Sequence, residues 1–344
     1  MSIDPVLDED ALLSYLARTL GVEAAFASPP RPLSRGSGSS IYQFRLEGAP
    51  AGAWAGPLVL KLIVLHLGAA WIEREAAIHR FVAGRGYPAP RLLAVESAGD
   101  VLGTPFTIME RAPGVNLGRL LLGRNVAMAY RLGTLFADTH VALHRLPVEG
   151  YPEQVEGWSG DRRLVMYRDG RLGQSPEQRE AFDWLESHKH AVLPEEPSVC
   201  HNNYHPVNVI VDRAHGARGV DRALGAQVID WSNADLGDRH GDVADALVLM
   251  RTQGMRTRGA RGAFERLMRA VFLRRYLRRY DQQLPLDRGR LRYWEALAAF
   301  AHQGVLAALA PAAVARQEAS SSAVERRQAR LARYFEERRR EIEA

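Results

Sequence analysis

The chain has 344 residues and a formal net charge of +5, with 47% hydrophobic and 25% charged residues, a composition ordinary for a soluble globular protein. Its length favours two domains, and it contains no apolar run long enough to cross a bilayer, which excludes a membrane-spanning protein. The single cysteine, Cys200, excludes intramolecular disulfides and multi-cysteine metal sites, and the acidic start MSIDPVLDEDALL does not resemble a signal peptide, so we expect a cytoplasmic protein.

The first third of the chain is predicted to be rich in strands. The stretch DEDALLSYLARTL (8–20) has apolar residues at helical spacing and predicts an amphipathic helix, which the proline-rich SPPRPL then ends. A Gly/Ser turn between two extended segments follows in LSRGSGSSIYQFRL, and PLVLKLIVL predicts a buried strand. One helix, AAWIEREAAIHRFVAGRG, precedes two further strands in YPAPRLLAVE and PFTIME.

Beyond RAPGVNL the pattern changes to helices. Helical periodicity is present at about 123–145 and at 176–192, and again from 242 to about 311. A charged terminal helix is predicted at 317–343. Two short strands, VNVIVD and GAQVIDW, interrupt this half and are separated by a polar, glycine-containing turn, which predicts an embedded hairpin.

This order of elements predicts an α+β, bilobal, protein-kinase-like fold. The small lobe, 1–110, would be an antiparallel sheet that binds nucleotide, with 1–28 as a leading helix and linker. The larger lobe, 111–344, would be mainly helical, would contain the hairpin and would end in the charged helix 317–344.

Lysine is rare in this chain, which makes each lysine informative. Only Lys61 and Lys189 occur, and all other basic residues are arginine. Lys61 lies inside a strand built to be buried, where an ammonium is costly without a partner, and Glu75 on the following helix is the candidate partner. A lysine on a strand, braced by a helix carboxylate, is the ion pair that phosphate transfer from a nucleotide requires in kinases. The alternative is a lysine at a strand end that reaches solvent.

The turn RGSGSS lies between two predicted strands. Its glycines and serine hydroxyls would let backbone amides approach phosphate oxygens, so we assign it to nucleotide binding. The candidate residues are Gly36, Ser37, Gly38, Ser39 and Ser40. A plain hairpin turn would have the same composition.

Asn208 and Asp230 are candidate ligands for one Mg²⁺ ion. Each is flanked by a strand of the predicted hairpin, so an amide oxygen and a carboxylate could converge on one cation, and Mg²⁺ prefers oxygen ligands. Two turn residues that cap a hairpin would be the structural alternative.

The motifs HNNYHPVNVIVD and VIDWSNADLGDRHGDVA resemble those of the aminoglycoside phosphotransferase and choline kinase superfamily. The family pattern is His-x-Asp-x-x-x-x-Asn, followed by Ile-Asp-Trp/Phe and a Gly-Asp pair with a further Asp. The resemblance extends to REAAIHRFVAGRGYPAPRLL and IMERAPG and covers roughly 30–310. It implies a transferase that uses ATP or GTP with Mg²⁺ to phosphorylate a small-molecule hydroxyl.

The resemblance also implies roles for individual residues. Lys61 would contact phosphates with Glu75 bracing it, and the metal would be held by Asn208 and Asp230. The backbone of Glu110 and of Ala112 would meet the adenine. His201 would support the catalytic loop, and Asp242 would steady that loop in a structural role. His205 and His240 are interpreted as packing residues of the loops.

Asn203 departs from the family pattern. The family has at this position the Asp that accepts the hydroxyl proton, and an amide cannot accept it, although Asn can still hydrogen-bond a hydroxyl. Loss of a general base typically costs 10²–10⁴-fold, so turnover would be slowed but not abolished. Three interpretations stay open: an engineered substitution, a natural enzyme in which His205 or the substrate compensates, and a natural pseudokinase that binds nucleotide and acts through partners.

The acceptor and other partners are less well defined by the sequence. Acids of 176–192 could bind a cationic drug, but their spacing favours an exposed helix face: Glu177, Glu180, Asp183 and Glu186. A hydroxylated metabolite or natural product is as compatible with the motifs as an antibiotic. Arginine-rich stretches lack the aromatic residues of a nucleic-acid-binding surface and are interpreted as solvated helix faces. The sequence does not indicate an oligomeric state.

Overall fold

The computed structural model describes residues 7–35, 38–63, 68–123, 125–152, 159–170, 175–192, 196–212, 225–252, 259–315 and 320–344. Its mixed α+β architecture, with a small antiparallel sheet and a larger helical part, confirms the predicted fold class. The chain divides into two compact units. The first unit comprises 1–114, 151–153 and 227–232, and the second comprises 115–150, 154–226 and 233–344.

The first unit is built on a five-stranded antiparallel sheet with two helices. Its elements are α1 (Glu9–Leu20), β1 (Ala25–Arg35), β2 (Ser39–Glu47), β3 (Leu58–Ile63), α2 (Ala69–Gly84), β4 (Leu92–Glu96) and β5 (Phe106–Glu110). The strand order is β1-β2-β3-β5-β4, so β3 lies in the middle of the sheet. Leu12 and Leu16 of α1 pack with Leu60 and Phe106 in a core that covers one side of the sheet.

The proline-rich stretch does not end α1, contrary to the prediction. The helix ends because Gly21 adopts a left-handed conformation (φ 68°) and its N–H bonds to the carbonyl of Ala17. The prolines belong instead to β1, where the pairing with β2 has three register shifts. β1 is an edge strand with β2 as its one neighbour in the sheet. On its other side no strand needs a backbone N–H donor, so prolines are tolerated there.

The second unit contains the remaining helices and short strands. In chain order these are β6 (Val115–Asn116), α3 (Leu117–Leu121), α4 (Val126–His144), α5 (Ser159–Arg168), α6 (Pro176–His188), β7 (Ser198–Cys200), β8 (Val209–Asp212), β9 (Gly225–Val228), β10 (Asp235–Gly237), α7 (Arg239–Thr252), α8 (Gly259–Gln283), α9 (Arg288–Ala315) and α10 (Ser321–Glu343). Gly225 and Ala226 of β9 lie in this unit, and β6, β8 and β9 form a sheet in that order. β7 pairs with β10.

Capping side chains fix where several of these helices begin. Ser175 and Gln178 form a reciprocal capping box at the start of α6, and Asn125 accepts the N–H of Met128 at the start of α4. α4 packs closely on α8 because Gly133 has no side chain: an added Cβ would lie 2.7 Å from the carbonyl oxygen of Phe272. The predicted helix at 176–192 is shorter than expected and passes into a 3₁₀ turn at Lys189.

α7 is the central helix of the second unit, because nearly all of its residues are buried. It begins at Arg239, earlier than the predicted start at 242. Three short strands, β6, β7 and β10, were not predicted from the sequence, since strands of two or three residues carry too little pattern to be recognised. Among the residues that the structure describes, none of the helices combines the length and the apolarity needed to cross a lipid bilayer.

Candidate active site

A buried ammonium with two carboxylate partners forms the charged centre of the first unit. Lys61 Nζ lies 2.7 Å from Glu75 Oε1 and 3.2 Å from Asp230 Oδ1. The side chains of Lys61 and Glu75 are 11% and 10% exposed, whereas that of Asp230 is 37% exposed. The predicted pair of Lys61 and Glu75 is therefore present. Asp230, which was predicted as a metal ligand beside the ammonium, is in addition a direct partner of the lysine.

Three different elements place these side chains. Lys61 is in the middle of β3, paired with Ile41 of β2 and Thr107 of β5. Glu75 is on the buried face of α2. Asp230 follows β9 in a left-handed conformation (φ 68°), which is unusual for a residue with a side chain, and the hydroxyl of Ser232 donates to its Oδ1 at 3.2 Å.

The electrostatics keep Lys61 protonated. Burial by itself lowers the pKa of the ammonium, but the carboxylates of Glu75 and Asp230 outweigh burial and raise this pKa above its usual value. The site therefore holds a fixed positive charge that is shielded from water, and Asp230 exposes part of a carboxylate beside it. Such a pair of groups can bind a polyanion together with a cation.

The connection between β1 and β2, which was predicted to bind phosphate, is only partly described. Gly38 precedes β2, and Ser39 and Ser40 are its first residues, paired with Ile63 and Leu62 of β3. Two other residues predicted to bind phosphate, Gly36 and Ser37, lie outside the described residues.

Glu110 and Ala112, the predicted contacts of the adenine, lie at the end of the same sheet. Glu110 is the last residue of β5, and its N–H bonds to the carbonyl of Arg91 at 3.0 Å. Because this N–H is occupied, the carbonyl of Glu110 is the group that could face a base. Ala112 follows in the irregular segment before β6.

In the second unit, one buried carboxylate holds the backbone of the loop after β7. Asp242 Oδ2 accepts the N–H of His201 at 2.6 Å, and Oδ1 accepts the N–H of Asn202 at 2.9 Å. Asn202 has a positive φ of 56°, and its side chain bonds to the carbonyl of Asn233 at 3.1 Å. This geometry matches the expectation that Asp242 steadies the loop.

Two histidines of α4 support Asp242 from the other side. His144 Nε2 lies 3.2 Å from Asp242 Oδ2 in hydrogen-bond geometry, and His140 Nε2 lies 3.1 Å from the same oxygen outside that geometry. Their Nδ1 atoms contact the hydroxyls of Tyr276 and Tyr280 of α8, at 2.8 and 2.6 Å. α4 and α8 are thereby connected to the loop through one carboxylate.

Burial sets the protonation of this network. It lowers the pKa of His140, and together with the neighbouring His140 it lowers the pKa of His144 to about 4. Burial alone would raise the pKa of Asp242, but the imidazoles next to it hold this pKa well below the usual range. Asp242 is therefore a carboxylate near pH 7, and the two histidines are neutral.

Asn208 makes two hydrogen bonds within the loop that follows β7. Its Nδ2 donates to the carbonyl of Asn203 at 3.1 Å, and its backbone N–H donates to the carbonyl of His205 at 2.9 Å. Since the amide nitrogen is used inside the loop, Oδ1 is the atom of Asn208 that could bind a cation. Asn203 is half-buried, His201 is fully buried, and both lie in the same loop.

The oxygen chemistry of two predicted metal ligands fits a hard cation. Asp230 offers a partly exposed carboxylate in the first unit, and Asn208 offers an amide oxygen in the second. Among the described residues, His140, His144 and Asp242 form the one group of three or more His, Cys, Asp or Glu residues whose ligand atoms all lie within 4.8 Å of one another. Contacts with two tyrosines and two backbone amides account for this buried group, so we interpret it as structural.

Three further residues of the second unit are buried or make local contacts. His205 Nδ1 accepts the N–H of Val207 within the loop, and His240 Nδ1 lies 2.7 Å from Asp238 Oδ1. Cys200 is fully buried, and burial raises the pKa of its thiol, which makes it a poor nucleophile.

The network of His140, His144, Tyr276 and Tyr280 was not predicted from the sequence. Its signal is the spacing of two histidines in DTHVALH, which places both on one face of a helix. The tyrosines repeat the same four-residue spacing on α8. Without the packing of α4 against α8, nothing in the sequence connects these two pairs.

Comparison with known proteins places the chain in a family. A model described as "Phosphotransferase enzyme family" matches residues 31–294. A curated relative, acyl-CoA dehydrogenase family member 10 of Mus musculus, is 25% identical over 253 residues, which is 69% of this chain and 22% of the relative. The chain therefore spans about a fifth of that relative's length.

Several solved structures share the fold. A choline/ethanolamine kinase family protein from Mesorhizobium loti has a TM-score of 0.58 at 16% identity, with 95% of this chain and 94% of that chain covered. The amicoumacin kinase hAmiN, in complex with AMP-PNP, Ca²⁺ and Ami, has a TM-score of 0.61 at 16% identity, with 97% and 94% covered. Macrolide 2′-phosphotransferase type I has a TM-score of 0.58 at 14% identity, with 96% and 99% covered. At these identities the similarity shows the fold alone.

Proposed function

This chain belongs to the phosphotransferase enzyme family, and we propose that it transfers the γ-phosphoryl group of ATP or GTP, in a magnesium-dependent reaction, to a hydroxyl of a small molecule. The observation that carries the proposal is Lys61, a buried ammonium held by two carboxylates at 2.7 and 3.2 Å. A lysine pair of this kind is what positions nucleotide phosphates in kinases.

The residues of the first unit would bind the nucleotide. Lys61 contacts its phosphates, and Glu75 fixes the orientation of the lysine side chain. The backbone of Gly38 to Ser40 would approach the phosphates, and Gly36 and Ser37, outside the described residues, stay predicted phosphate contacts. The carbonyl of Glu110 and the backbone of Ala112 meet the base.

Asp230 and Asn208 would hold the magnesium ion. When bound, Mg²⁺ neutralises the charge that develops on the phosphate oxygens during transfer. The oxygen-only donor set of these two side chains supports this assignment. Asp230 also contacts Lys61, so the cation and the ammonium would share one carboxylate.

Asn203 would position the acceptor hydroxyl without taking its proton. Its backbone carbonyl is fixed by Asn208, and the loop is fixed by Asp242 through His201. Positioning and electrostatic stabilisation provide most of the catalysis in a loose phosphoryl-transfer transition state. We therefore expect slow transfer, with the proton leaving to water, to His205 or to the substrate itself.

The test is to restore a carboxylate at position 203. Transfer of labelled γ-phosphate from ATP and GTP to a panel of hydroxylated small molecules is measured for the native protein and for Asn203→Asp. We expect kcat to rise by about 10²–10⁴-fold, the usual contribution of a general base. The KM for nucleotide should stay within about threefold, because Asn203 does not contact the nucleotide phosphates in this account.

A second candidate function is favoured by Asn203 itself. A natural pseudokinase would keep the nucleotide site and lack transfer. In that case Asn203→Asp gives no gain although magnesium-dependent nucleotide binding persists. Absence of nucleotide binding in the native protein would contradict both candidates.

A further inference from the structure

A second charged cluster, outside the residues described above, lies beside the catalytic loop of the second unit. Asp245 of α7 contacts two cationic or polar side chains from other helices. Arg163 Nη2 of α5 lies 3.2 Å from Asp245 Oδ1, and His302 Nε2 of α9 donates to the same oxygen at 3.0 Å. Three helices thus meet at one carboxylate oxygen.

The cluster contains two polar atoms that are buried and lack a hydrogen-bond partner among the described residues. They are Asp245 Oδ2 and Arg163 Nη1. The Asp245 side chain is only 2% exposed, so the missing partner of Oδ2 carries a real cost. The outer edge of the cluster reaches solvent, since the side chains of Arg163 and His302 are 18% and 21% exposed.

This cluster is close to the loop that contains Asn203. Asp245 is one helical turn after Asp242, so both side chains project from the same face of α7, and Asp242 holds the backbone of His201. Helix α5, which carries Arg163, contacts β10, and β10 pairs with β7, the strand directly before His201. A molecule seated at the cluster would therefore be near the position proposed for the reacting hydroxyl.

The chemistry of the two unpartnered atoms selects the kind of group that fits. Asp245 Oδ2 needs a donor, whereas Arg163 Nη1 needs an acceptor. A ligand ammonium would satisfy the carboxylate of Asp245 but would be repelled by the guanidinium of Arg163. A ligand carboxylate would satisfy the guanidinium but would be repelled by the carboxylate. A neutral hydroxyl both donates and accepts, so it has the chemistry that each atom needs without a charge that the other would repel.

We propose that Arg163 and Asp245 form a specificity site for a neutral, polyhydroxylated acceptor, which binds through a hydroxyl other than the one that is phosphorylated. His302 holds the carboxylate in place for this role. The inference rests on the proposed function for its biological meaning, because it assigns the acceptor class of the same reaction. Binding of a neutral polyol at Arg163 and Asp245 can nevertheless be measured without phosphate transfer.

The experiment measures binding directly by isothermal titration calorimetry of the full chain without nucleotide. The probes are myo-inositol and D-glucose as neutral polyols, choline as a cation and 3-hydroxybutyrate as an anion. We expect saturable binding of at least one polyol, weakened about 10-fold or more by Arg163→Gln and by Asp245→Asn. A charge-assisted hydrogen bond is worth enough to give a loss of this size.

Glu295→Gln is the matched control. Glu295 is also buried on α9 and bonded to arginine, with Oε1 2.7 Å from Arg251 and Oε2 3.2 Å from Arg338. It should reduce stability without changing the affinity for the polyol by more than about twofold. Arg163→Gln is the variant expected to fold most readily, because its side chain is partly exposed.

Three results would overturn the inference. The first is that Glu295→Gln weakens polyol binding as much as Arg163→Gln and Asp245→Asn do. The second is that choline or 3-hydroxybutyrate binds more tightly than both polyols, and that this binding depends on Arg163 and Asp245. The third is no saturable binding of either polyol, which would leave water as the partner of the two buried atoms. Failure of the proposed function is distinguishable, because it would abolish nucleotide binding and leave polyol binding unchanged.

Discussion

Replacing Asp242 by Asn should strongly destabilise the second unit. The carboxylate accepts the N–H of His201 at 2.6 Å, the N–H of Asn202 at 2.9 Å and the Nε2 of His144 at 3.2 Å. An amide of the same shape keeps one acceptor oxygen and places an NH₂ group against a donor. At least one charge-assisted bond, worth about 1.5–3 kcal/mol, is lost, and a buried N–H is left unpaired at about 1–3 kcal/mol. The sum is about 2.5–6 kcal/mol.

Urea denaturation followed by circular dichroism measures this loss. Asp281→Asn is the matched control, because Asp281 also accepts a backbone N–H, that of Leu286 at 2.8 Å, and pairs with Arg288. Its side chain is 33% exposed, so water can replace the lost bonds, and the cost should be about 1 kcal/mol or less. Similar losses for both variants would refute the reasoning that burial makes the Asp242 bonds dominant.

Acidification should destabilise the protein through the buried histidines. The pKa of His144 is about 4 in the folded protein and about 6.5 in the unfolded chain. Between about pH 6.5 and pH 4 the unfolded chain therefore binds more protons than the folded protein. The free energy of unfolding should fall, on the order of 3 kcal/mol, as the pH drops from about 6.5 to 4, and His144→Gln should flatten that slope in pH-dependent urea titrations. Gly241→Ala should cost about 1–3 kcal/mol, because the added Cβ would lie 2.8 Å from Trp294 Cε3. Gly84→Ala, with nothing within 4 Å of the new Cβ, should be close to neutral in the same denaturation assay.

The sequence predicted the long elements and the buried lysine pair, because these depend on local pattern. Helical periodicity and a buried strand located α2 and β3, and the rarity of lysine singled out Lys61. Desolvation then required a partner for the ammonium, which Glu75 supplies at 2.7 Å. Both partners lie within one short stretch of chain, so topology was not needed to pair them.

What the sequence could not predict depends on contacts between distant parts of the chain. The contact of Asp230 with Lys61 joins residues far apart in sequence, and the link from α8 through two histidines to Asp242 requires α4 to pack on α8. The prolines of β1 misled the local prediction, because tolerance of proline depends on the strand being at a sheet edge. The cluster around Asp245 likewise assembles from three helices.

The central claim is that Lys61 is the phosphate-binding cation of a nucleotide site. The most direct measurement is calorimetric titration of ATP and GTP, with and without Mg²⁺, into the native protein, Lys61→Met and Lys189→Met. Lys189 is the matched control, since it is the other lysine and pairs with Glu186 at 3.0 Å on α6. We predict magnesium-dependent binding that Lys61→Met weakens about 10- to 100-fold, as expected for a lost charge-assisted bond, and that Lys189→Met leaves within about twofold. Equal binding by both variants, or no nucleotide binding by the native protein, would contradict the account.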